Sequence, residues 1–171
     1  VYIPKAKSRI EIRLSSQVEK ARREDAFRMV QNEMVDFLGT NSVSVDNLTP
    51  INFFNAIESC FADNTMGRAA SATLSTDETA SDAILKNLSN RNYCARTQNV
   101  TDGSGKGHVY TCRAIQLRWD LPDEKKCQTE ISIEPHKFIW EQGQCNQISY
   151  KHPTSRLGLD RLIDNVIART A

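Results

Sequence analysis

No apolar run in this chain approaches the length of a bilayer span, so the sequence offers no membrane-crossing helix. No two of its five cysteines lie within four residues of each other, which excludes a zinc site of the Cys-x-x-Cys kind. No His-x-x-x-His pair is present among the three histidines, His108, His136 and His152. A metal or acid–base site would have to be assembled by tertiary folding. The glycine-rich run Gly103-Ser-Gly-Lys-Gly107 lacks the spacing of a phosphate loop. Val100 stands where the first glycine belongs, and Gly107 replaces the hydroxyl residue that would hold magnesium. It reads instead as a hairpin tip. The nearest thiol–imidazole pairs, His108 with Cys112 and Cys145 with His152, carry no catalytic signature. Catalytic residues, cofactor ligands and metal ligands are therefore all assigned as none. The opening Val-Tyr-Ile-Pro has no signal-peptide pattern, which is consistent with a removed leader or anchor.

What is present is ordinary globular composition: 171 residues, 39% hydrophobic and 25% charged, enough for one α+β domain over 1–171 with its own core. The net charge of +1 argues against wholesale binding to nucleic acid or anionic membrane. The charge is unevenly laid out. Residues 1–28 carry eight Lys/Arg against four Asp/Glu, a net of +4, whereas residues 29–90 carry two against eight, a net of −6. Such a layout can orient a partner.

Periodicity divides the chain into a leader and short strand over 1–14, a mostly helical part over 15–90, antiparallel strands over 92–150 and a C-terminal helix over 154–170. In the first part Ile10, Ile12 and Leu14 alternate with Glu11 and Arg13. Ser15 or Ser16 then caps a helix whose Phe27, Val30, Met34, Phe37 and Leu38 fall at helical spacing before a stop at Gly39. Thr49-Pro50 opens a second helix with Phe53, Ile57, Cys60 and Phe61 on one face. Residues 64–81, rich in Ala, Ser and Thr, read as a surface loop, and Ile84, Leu85 and Leu88 as a third helix. Alternation from Val109 to Trp119 marks the sheet, with Trp140, Phe138 and Tyr150 packed in it, and Leu159, Leu162, Ile163, Val166 and Ile167 share a face of the last helix. The expected architecture is N-terminal helices and a C-terminal helix packed on a curved antiparallel sheet of about four strands.

The cysteines carry the sharpest expectation. Cys94 and Cys112 are 18 residues apart, as are Cys127 and Cys145, and each pair straddles one turn signal, at Gly103 and at His136. Residues equidistant from a hairpin turn face each other at a separation a disulfide can span. Cys94–Cys112 and Cys127–Cys145 are accordingly the candidate disulfides, with Cys60 left as a buried free thiol. Such bonds persist in oxidising compartments, which points to a periplasmic or secreted location. The sequons at Asn47, Asn87 and Asn99 fix no compartment. Together these features describe a non-enzymatic extracytoplasmic protein–protein interaction domain, of an envelope assembly or a secreted factor. Alternatives are a small-ligand carrier with an apolar pocket between helices and sheet, and a hydrolase whose site is assembled by tertiary contacts.

Overall fold

The computed structural model describes residues 1–3, 9–44, 48–76, 82–98, 110–120, 128–152 and 155–171. The chain gathers into two compact units, Val1–Thr49 and Pro50–Ala171.

In the first unit the alternation at Ile10–Leu14 does not extend into a strand. One antiparallel bridge joins Tyr2 to Glu11, closed by reciprocal backbone hydrogen bonds of 2.8 and 2.9 Å. Glu11 is held between Arg9 at 2.6 Å and Arg13 at 2.6 Å, and the Arg13 guanidinium stacks 3.9 Å over the Tyr2 ring. Two cations and a ring fasten this bridge, so strand propensity contributes little to it. The helix announced by Ser15 and Ser16 begins later. Ser15 caps only a local turn, accepting from the Gln17 amide at 3.2 Å, and a 3₁₀ turn at Lys20–Arg22 leads into α1, Arg23–Thr40.

The second unit is α+β, as the sequence predicts. Its elements are α2 (Phe54–Ala62), β1 (Arg68–Ser75), β2 (Ala83–Lys86), a 3₁₀ turn at Ala95–Thr97, β3 (Thr111–Asp120), β4 (Gln128–Ile133), α3 (Lys137–Glu141), β5 (Ser149–Lys151) and α4 (Arg156–Ile167). The five strands form one antiparallel sheet in the order β2-β1-β3-β4-β5.

Two expectations fail here. Residues 64–81, read as a loop, contain β1, the strand between β2 and β3, whose buried Ala69, Ala70 and Ala72 are too small to give the alternation that marks a strand. Ile84 and Leu85, read as helical, belong to the four-residue edge strand β2, too short for its period to show. The Thr49-Pro50 start is also displaced: α2 begins at Phe54, whose amide is taken by Asn52 Oδ1 at 3.1 Å. At α4, by contrast, Ser155 is the N-cap, accepting from the Gly158 amide at 3.0 Å, and Leu159, Ile163 and Val166 are the buried face.

The core lies between one face of the sheet and helices α2 and α4. Ile57 and Cys60 of α2 and Val166 of α4 meet Ile115, Leu117, Ile131 and Ile133 of the central strands. Two bulges set which side chains reach it. The β1–β3 register slips between Ala69 and Ser71 and again opposite Arg113, so that Leu74 pairs with Cys112 while Thr73 pairs with Ala114. The second slip turns Cys112 into the core, and Glu58 of α2 accepts its amide at 2.8 Å.

Candidate functional site

The residues that chemistry would nominate first are engaged in holding the second unit together. Cys60, Cys94, Cys112 and Cys145 are free thiols, which removes the expected Cys94–Cys112 bond from this structure. The reason is register: the segment before β3 is not its hairpin partner. Cys112 pairs with Leu74 of β1, while Cys94 precedes the 3₁₀ turn at Ala95–Thr97. The second expected hairpin is interrupted by α3, which occupies the place of the turn. Cys145 lies outside β5, its amide bound to Asn52 Oδ1 at 2.8 Å and its carbonyl to the Phe53 amide at 2.6 Å. Cys127 lies outside the described residues.

Burial pushes the Cys60 thiol up to about 11, and burial together with Glu58 pushes Cys112 higher still. Neither is a thiolate at neutral pH, so neither is poised as a nucleophile. His108 and the run 103–107 lie outside the described residues. His136 is the N-cap of α3, its ring accepting from the Phe138 amide at 3.4 Å, and the His152 carbonyl accepts from Thr129 Oγ1 at 3.1 Å.

Away from the core, the sheet carries a polar face that the sequence alone did not reveal. Register aligns Lys86, Ser71, Gln116, Ser132 and Ser149 in one row across all five strands, with Arg118, Glu130 and Lys151 in the next. Glu130 is only 3% exposed and receives Arg118 at 2.8 Å and Lys151 at 2.9 Å. Burial alone would raise its pKa, but hydrogen bonds from Lys151, Gln116 and Arg118 outweigh that and hold it below the usual value. Glu134, one turn of the pleat further on, is shifted up, mainly by desolvation. The second ionic group joins Asp82 to Ser75, to Arg113 at 2.5 Å and to Lys137 at 3.8 Å. In both groups the charges satisfy one another. Among the described residues no three His, Cys, Asp or Glu side chains are grouped to hold a metal ion, and no helix is long and apolar enough to cross a membrane.

Arg96 was not singled out from the sequence, yet it organises more backbone than any catalytic candidate. Its guanidinium donates to the carbonyls of Cys60 at 2.8 Å, Phe61 at 2.7 Å, Gly67 at 2.6 Å and Met66 at 3.4 Å, and it passes 3.9 Å from Cys94 Sγ. It thereby caps the last turn of α2, whose carbonyls lack helical partners. Nothing in the local sequence marks such a residue, because its acceptors are some 30 positions away.

The surface left unused is in the first unit. Phe27, Val30, Met34, Phe37 and Leu38 form a stripe roughly 100° wide on α1 at 3.6 residues per turn. None of the 18 residues of α1 is buried, and Phe37 is 66% exposed. Val30, Met34, Phe37 and Leu38, with Val1, Ile3, Ile10 and Glu33, line an open apolar groove of about 500 Å³. Water-exposed apolar area of this kind is costly to a soluble unit unless something covers it.

Comparison of the chain with family models, with curated proteins and with solved structures finds no match.

Proposed function

We propose that the chain is a non-enzymatic protein–protein interaction domain whose contact surface is the apolar stripe of α1. The observation that carries this reading is an amphipathic helix of 18 residues with no fully buried residue, whose Phe37 is exposed while Phe27, Val30, Met34 and Leu38 are half-buried. Helices that lay an apolar face into a partner's groove, or against a partner helix, present anchors at this spacing. The second unit fits a supporting role, since among the described residues Asp63, Asp82 and Glu130 are ion-paired, His136 caps α3, and Cys60 and Cys112 are desolvated. A carrier with a pocket between helices and sheet draws no support from the core, where Ile57, Val166 and the strand side chains occupy that space. Free Cys94, Cys112 and Cys145 lend no support to an oxidising compartment, so only the interaction role is retained.

The test is site-specific photo-cross-linking in the source cell. A benzoylphenylalanine at position 37, on the stripe, is expected to capture a protein, and the same probe at position 32, on the opposite side of α1, is not. Equal yields at the two positions, or none at either, would overturn the reading.

A further inference from the structure

We draw no further inference here: the strongest candidate, the open apolar groove along α1 lined by Val30, Met34, Phe37 and Leu38, belongs to the surface already proposed for interaction, and nothing in the structure shows what covers it.

Discussion

Replacing Arg96 with alanine withdraws the donor that four carbonyls share: Cys60, Phe61, Met66 and Gly67. A hydrogen bond to a charged donor is worth about 1.5–3 kcal/mol, and an orphaned buried acceptor costs about 1–3 kcal/mol. The four are not additive, because one guanidinium makes them all and the carbonyl of half-buried Gly67 can turn to water. Counting the two at the end of α2 in full gives a loss of about 3–6 kcal/mol. For a chain of this size, about 3 kcal/mol corresponds to a fall of roughly 6–12 °C in the melting temperature. Urea denaturation followed by circular dichroism measures the first quantity and calorimetry the second. Arg96→Lys should recover little, since an ammonium is a point donor and cannot span carbonyls on both sides of the α2 end as the planar fork does. A loss under 1 kcal/mol for the alanine variant, or full rescue by lysine, would refute the view that this side chain caps α2.

Gly67 has φ of +63°, and a Cβ there would stand 2.8 Å from both the Arg118 carbonyl and the Trp119 ring; Gly67→Ala should cost at least about 2 kcal/mol in urea denaturation. Glu130→Gln should cost about 3 kcal/mol at neutral pH by stranding Arg118 and Lys151, and a loss below 1 kcal/mol would show the network to be dispensable. The folded pKa of Glu130 is depressed, so its contribution is present above the unfolded value and is lost as pH falls through the folded one. The stability of the variant should therefore decline less on acidification below about pH 4.5 than that of the parent chain. Native thiol titration at pH 8 should leave Cys60 and Cys112 unmodified, with the half-buried Cys94 reacting ahead of both; early labelling of Cys60 would contradict its place in the core.

The parts of the fold legible in the sequence are those where side-chain size and spacing agree. The face of α2 containing Ile57 and Cys60, the long alternation of β3 and the Ser155-capped α4 each combine bulky apolar residues with a clear period. β1 was hidden because its buried positions are filled with alanine, and alanine-rich runs with Ser and Thr look like loops. The cysteine symmetry misled for a related reason. Equal spacing about two turn signals implies opposed residues only if nothing intervenes, and a short helix at Lys137–Glu141 and a 3₁₀ turn at Ala95–Thr97 both do. The polar row from Lys86 to Ser149 needs the register of all five strands, which no single segment encodes. The stripe on α1, by contrast, is local and could be read directly from its period.

The strand order has a consequence for synthesis. β1 and β2 are made first, but β1 is an inner strand whose other neighbour, β3, begins 36 residues after β1 ends, counting from Ser75 to Thr111. Until then its open flank is a bare template for pairing with another nascent chain. Arg96 emerges in that interval, ahead of β3, and draws the end of α2 and the loop before β1 onto itself. The residue that ties the end of α2 to the loop before β1 is thus translated ahead of the strand that completes the sheet.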